Sequence, residues 1–516
     1  MRSYVVYLPV LFSAIFLSLF YHELLGINVI IFEVLMIGTS FLVHRPRGNN
    51  LHAKIVLTGT ILSAVFVLLY GSAIAKTINV FSFFLFLGYR CDIHLRSPLN
   101  SLLLATLHII KIPGVFVRKL LLKKGVTQST LSRLRFYGKI IVFPILILML
   151  FIYIYILANS RFSDFMEDMM ISCRSAYRYI LEHFNFSMFY TLLLGLFVSS
   201  AYIFQTDEKR ISQMDDHGED SLFRRRKKKD KNKESFKTMD LKKEYYAMLF
   251  LLMLLNMLIA IMNVIDIDWV WLNFQWDGSN GGAELKQFVH TGTYLLICAI
   301  ILSVGISLYI FRNNMNFYER NTWIKFLAYL WLFQNAVMLA SVGMRTYRYV
   351  QHFNLAHKRI GLLFFLLAML IVIFIVFVKI RDKKSSYFLV RTCALSSYIV
   401  LFTICTIDWD MFIVKYNFRH AHSALLHKDW MMNLSDKTLP IVRVNIHLMD
   451  DSTNQPGEGH VYTYKELLEI REAAFKKAYK CRGVFSWNYA DARAYKQLEE
   501  QTTIGKSREL SARNQP

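Results

Sequence analysis

The stretch IGLLFFLLAMLIVIFIVFVKI, residues 360–380, runs from Ile360 to Val378 without a charged or amide side chain. At 1.5 Å per residue it covers the roughly 30 Å hydrocarbon core of a bilayer, and a core helix of a soluble protein would show a polar stripe that is absent here. Runs of the same kind recur at 4–20, 27–43, 55–70, 72–89, 140–158, 186–204, 245–265, 288–311, 322–342 and 387–407. Together they predict an all-α, polytopic transmembrane helix bundle of about eleven spans. A membrane β-barrel is excluded because its strands alternate apolar and polar residues over about ten positions, whereas these runs are unbroken. The spans fall into two halves, 1–204 and 244–417, joined by a charged linker at 205–243. A partly helical tail, 418–516, follows.

Charge gives the orientation. Of 516 residues, 60 are Lys or Arg and 37 are Asp or Glu, a formal charge of +23. In a soluble protein that excess would suggest nucleic acid; in a polytopic one it marks loops retained in the cytoplasm, and no nucleic-acid partner is expected. Arg45, Arg47 and Lys54 place the loop 44–54, which follows two spans, inside, and with it the N-terminus. The basic series 118–139 and the run FRRRKKKDKNK from Phe223 place the loop near 118 and the linker inside as well. Eleven crossings then put the tail outside. The bilayer itself is the first partner, with anionic headgroups at the basic loops; a protein partner would engage the linker or tail. Residues 99–117 have basic flanks at both ends, together with His108, Lys111 and Pro113-Gly114, and read as an interfacial helix, the alternative being a proline-kinked span. The linker, acidic at Asp215, Asp216, Glu219 and Asp220 before its basic run, reads as disordered.

Six cysteines form no close pair, so neither a disulfide framework nor a zinc site is indicated. His420, His422 and His427 make an H-x-H with a third histidine but no carboxylate motif to fix a geometry. No metal or cofactor is expected. Nor does H-E-x-x-H, G-x-x-x-x-G-K-[ST] or G-x-S-x-G occur, so no catalytic residue is assigned.

Two groups of residues stand out against this background. Glu33 lies inside the second span, where a lone carboxylate costs about 2.5–3.5 kcal/mol on insertion-type scales. It marks either an ion path or a hydrogen-bonded structural position. Asn256, Asn263, Gln334 and Asn335 are mid-span amides, suited to gluing helices or to lining a site, and Arg391 lies one turn inside the last span. The second group is a charge cluster on the outer side: Asp266, Asp268, Asp408 and Asp410 at span ends, facing Arg345, Arg348, Lys358 and Arg359 of the predicted outer loop 343–359. At least one acid–base contact is expected within it, unless the cluster instead receives an anionic ligand or partner.

Several motifs carry a resemblance: FVHTGT (288–293), FRNNMNFY (311–318), WIKFLAYLWLFQNAVMLASVGMRTYRYV (323–350), LAHKRIG (355–361), KIRDKKSSYFLVR (379–391) and DWDMFIVKYN (408–417). In order and spacing the chain resembles a bacterial family of uncharacterised multi-pass membrane proteins known as a domain of unknown function. The likeness is close over about 245–440, looser over the first 204 residues, and leaves out the linker and the last 70. It implies a bacterial cytoplasmic membrane and supplies no ligand or catalytic residues. The expected function is a membrane scaffold or sensor partner without catalysis. The alternatives are a small-molecule or ion permease using Glu33 and the amides, and an enzyme acting on lipid-linked substrates.

Overall fold

The computed structural model describes residues 3–44, 50–123, 144–145, 147–159, 161–169, 185–206, 208–223, 241–273, 293–311, 313–318, 321–449 and 463–513. Among these, seven helices are long and apolar enough to cross a membrane, and four shorter helices are apolar. The protein is an integral membrane, all-α bundle.

Four helices open the first half: α1 (Leu8–Phe20), α2 (Ile27–Val43), α3 (Leu51–Tyr70) and α4 (Ala73–Cys91). The α3–α4 hairpin is written in its punctuation. Asn50 caps α3 by accepting from the His52 amide at 2.9 Å, Gly71 ends it in the left-handed region at φ +58°, and Ser72 caps α4 through the Ala75 amide at 3.2 Å. After α5 (Pro98–Lys123), α6 (Ile147–Ala158) and α7 (Phe186–Ile203), a short α8 (Lys209–Asp216) leads to the second half. There stand α9 (Leu241–Asp266), α10 (Thr293–Ile310), α11 (Thr322–Phe353), α12 (His357–Arg381) and α13 (Ser386–Ile404).

Each half has its own apolar core. One gathers Phe32, Met36, Leu85 and Tyr202; the other gathers Leu252, Trp331, Leu332 and Val376. The seam between them is made by α13: the Tyr398 hydroxyl lies 3.2 Å from Ser82 Oγ and lodges over Gly59, where an added Cβ would come within 2.1 Å of it.

α5 is a single helix that continues through Pro113, where a break was expected. By length and composition it qualifies as a span, yet its contacts stay at one level. Ser101 donates to the Leu85 carbonyl at 2.9 Å, His108 meets the Ala201 carbonyl at 2.8 Å and Thr206 Oγ1 at 2.7 Å, and Lys119 stands 4.1 Å above the Phe204 ring. Leu85, Ala201 and Phe204 all sit at the last turns of α4 and α7, while 101 to 119 measures about 27 Å along a helix. α5 therefore lies across helix ends. This is the face on which the chain begins, called here the N-terminal face.

On the opposite face, the tail forms a folded unit around Trp409, Ile413, Phe418, Leu468, Phe475 and Leu498. It begins with α14 (Trp409–Arg419), ahead of residue 418, and ends with α15 (Tyr464–Lys480) and α16 (Tyr489–Arg513). A capping box of Thr463 and Glu466 starts α15.

Candidate functional site

Glu33 is buried between α2, α3 and α4. One carboxylate oxygen accepts from Asn79 Nδ2 at 2.9 Å, and the same amide reaches Ser63 Oγ at 3.2 Å; the other oxygen has no hydrogen-bond partner. No base pairs with Glu33 among the described residues. A cavity of about 660 Å³ opens on the N-terminal face, and it ends at Leu57 and Phe86; Glu33 is not among the residues that line it.

The mid-span amides join α9 to α11. Gln334 donates to Asn256 Oδ1 at 3.0 Å, Asn256 to the Leu327 carbonyl at 3.1 Å, and Asn263 to the Gln334 carbonyl at 3.0 Å. Asn335 turns back on its own helix, donating to the Trp331 carbonyl at 2.7 Å. Asn256, Asn263 and Gln334 form a ladder of interhelical contacts, the use such groups most often have in lipid.

On the tail face, α11 continues as helix to Phe353, so Arg345 and Arg348 stand on a helix where a loop was expected. The sequence from Gly343 carries no breaker until Asn354, which takes a left-handed φ of 61°. Asp266 and Arg345 form a buried ion pair, and Ser341 also donates to Asp266 at 2.6 Å. That pair ties α9 to α11. The rest of the charge cluster divides. Arg348 donates to the Trp271 carbonyl at 3.3 Å, Arg359 donates to the Phe353 carbonyl at 2.7 Å and lies 4.5 Å from the Tyr349 ring, Asp268 accepts from Asn273 at 2.8 Å, and Lys358 is exposed.

Asp408 and Asp410 meet a cation that the sequence reading missed. Lys437, 3% exposed, places Nζ 2.8 Å from Asp408 and 3.3 Å from Asp410, and donates to the Tyr70 carbonyl at 2.9 Å. His357 and Ser435 complete the shell of Asp410 at 2.8 and 2.6 Å. Burial pushes the Asp408 carboxyl up, outweighing Lys437. Burial acts on Asp410 as well, but the His357 hydrogen bond, the Lys437 charge and the Ser435 hydroxyl together hold it well below the usual carboxylate range. A lysine in a polar, weakly periodic stretch gives no sequence signal of being buried.

Arg391 also finds its partner outside the span. It pairs with Asp220 of the linker at 2.9 Å. The first part of that linker, expected to be disordered, is folded against both halves: Asp215 accepts from the Arg96 amide at 2.5 Å, Asn100 at 2.7 Å and the Tyr387 hydroxyl at 2.9 Å, and the Ser385 amide donates to the Asp220 carbonyl at 2.9 Å. An acidic run is ordered here because the start of α5 and of α13 offers it unpaired amides and a cation. The basic run that follows lies outside the described residues.

No three His, Cys, Asp or Glu side chains converge among the described residues. No curated protein and no solved structure matches the chain. One family does, over residues 31–443. Those bounds enclose Glu33, the linker and Lys437, so the linker, which the sequence resemblance left out, falls inside the matched region. The chain belongs to the family described as a domain of unknown function (DUF4153).

Proposed function

We propose that the protein is a non-catalytic scaffold or sensor partner of a bacterial cytoplasmic membrane, with the N-terminal face in the cytoplasm and the tail domain presented outside. The observation that carries this reading is the Lys437 cluster, which fastens a folded tail domain to the α3–α4 turn of one half and the α12 end of the other. Groups that a permease would need for passage are engaged otherwise, since Asn256, Asn263 and Gln334 join two helices and Glu33 bonds Asn79. The orientation follows from the basic residues beside the N-terminal face. Glu33's unbonded oxygen is what favours the second reading, a small-molecule or ion permease.

The two separate in a strain deleted for the gene. The scaffold reading expects Glu33→Gln to restore the wild-type phenotype and Lys437→Glu, which repels Asp408 and Asp410, to fail while still inserting in the membrane. The reverse pattern would establish the permease reading.

A further inference from the structure

The cavity of about 660 Å³ on the N-terminal face lies between the ends of α2 and α4 and the start of α3. Its deep wall is apolar, with Phe41, Leu57 and Phe86, and Lys54 and His94 stand exposed at its mouth. Arg90 forms part of the wall and is only 8% exposed. Its Nη2 donates to the Ser40 carbonyl at 3.0 Å, but Nε has no partner, and no carboxylate of the described residues lies within salt-bridge distance of it. The neighbouring Tyr89 hydroxyl is buried and unpartnered as well. Asp92, the acid of this cavity wall, accepts from the His94 amide at 3.0 Å.

An enclosed guanidinium without an anion is costly, because the charge has left water and gained only one carbonyl in return. Its planar fork suits phosphate or carboxylate oxygens. Two further basic groups, Lys54 and His94, line the approach. An apolar wall behind a basic entrance matches an anionic amphiphile better than a bare ion, and the site opens at the ends of apolar helices.

We propose that this cavity binds a phosphate oxyanion, with Arg90 as the inner donor and Lys54 at the mouth. The phosphate belongs either to an anionic lipid headgroup, with part of its hydrocarbon against Phe41 and Phe86, or to a free phosphate compound. This inference is independent of the scaffold reading, since a permease would hold the same cavity.

The test measures the melting temperature of the full-length protein in neutral detergent against three probes: short-chain phosphatidylglycerol, short-chain phosphatidylcholine and inorganic phosphate. Phosphatidylglycerol is expected to raise the melting temperature saturably and phosphatidylcholine to have no such effect. Arg90→Gln should weaken the apparent affinity by about tenfold or more, the loss of a charge-assisted hydrogen bond. Lys54→Gln, at an exposed position, should weaken it by a smaller factor, and it carries the test if Arg90→Gln does not fold. Saturable stabilisation by inorganic phosphate equal to that of phosphatidylglycerol would assign the site to free phosphate. Stabilisation by neither anion, or equal stabilisation of wild type and both variants, would overturn the proposal.

Discussion

Lys437 of the tail donates to the backbone carbonyl of Tyr70 at 2.9 Å, across 367 residues of sequence. The same ammonium pairs with both Asp408 and Asp410. One buried cation thus holds the tail domain, the α3–α4 turn and the end of the second half together.

Removing that cation leaves two carboxylates facing each other. Lys437→Met should therefore weaken docking of the tail by about 3–5 kcal/mol, the cost of an uncompensated buried charge. Limited proteolysis is the check: 408–513 should become cleavable while the membrane helices stay protected. A variant with wild-type protection would remove the cluster from the role given to it.

The pH dependence of docking has a definite sign. Asp410 is held below its ordinary value, so its contribution is complete above the unfolded carboxylate value near 4 and fades as the pH falls below it. Asp408, pushed up by burial, acts the other way: its ionisation costs stability as the pH rises through its folded value. Protection factors of the tail amides, corrected for the intrinsic exchange rate at each pH, should fall as the pH drops below about 4, and Asp410→Asn should abolish that acid step.

Gly59 is required by the seam between the halves. A Cβ there would lie 2.1 Å from the Tyr398 hydroxyl oxygen and 3.1 Å from its ring carbon Cζ. Gly59→Ala is expected to cost about 1–3 kcal/mol through overpacking. Adding Tyr398→Phe removes the colliding atom and should restore most of the loss, at the expense of the bond to Ser82. Thermal denaturation of the two single variants and the double variant reads this directly.

Glu33 and Asn79 make a similar pair inside the first half. Glu33→Gln keeps an acceptor for the Asn79 amide and should leave stability nearly unchanged. Asn79→Leu strips the buried carboxylate of its hydrogen bond and should cost about 1–3 kcal/mol. Greater damage from Glu33→Gln than from Asn79→Leu would show that the charge matters more than the bond.

Much of the architecture was readable because lipid imposes a simple rule: a long apolar run must become a helix. The runs around 27–43, 360–380 and 387–407 needed nothing more. That at least one acid and base of the outer cluster would meet followed from charge and topology; that the pair is Asp266 with Arg345 did not. Other features depended on distant partners. α5 has the composition of a span, and its contacts with the last turns of α4 and α7 are made with partners that its own sequence does not announce. The acidic start of the linker looked unstructured because its partners, Arg96, Tyr387 and Arg391, lie more than a hundred residues away along the chain. Lys437, Arg90 and Tyr89 carry no motif; burial alone distinguishes them, and burial of a single polar side chain is a tertiary property.

Helix α13 is anchored near both membrane surfaces. Arg391, one turn inside its first end, grips Asp220 of the linker, while just past its other end the Thr406 carbonyl accepts from the Tyr70 hydroxyl at 3.0 Å, beside the Lys437 cluster. Its nineteen residues make a strut of about 28 Å. A strut fixed at both ends cannot shift at one without loading the other. Whatever pulls on the tail domain therefore strains the Arg391–Asp220 joint on the far side of the bilayer, with no ion or solute having to cross.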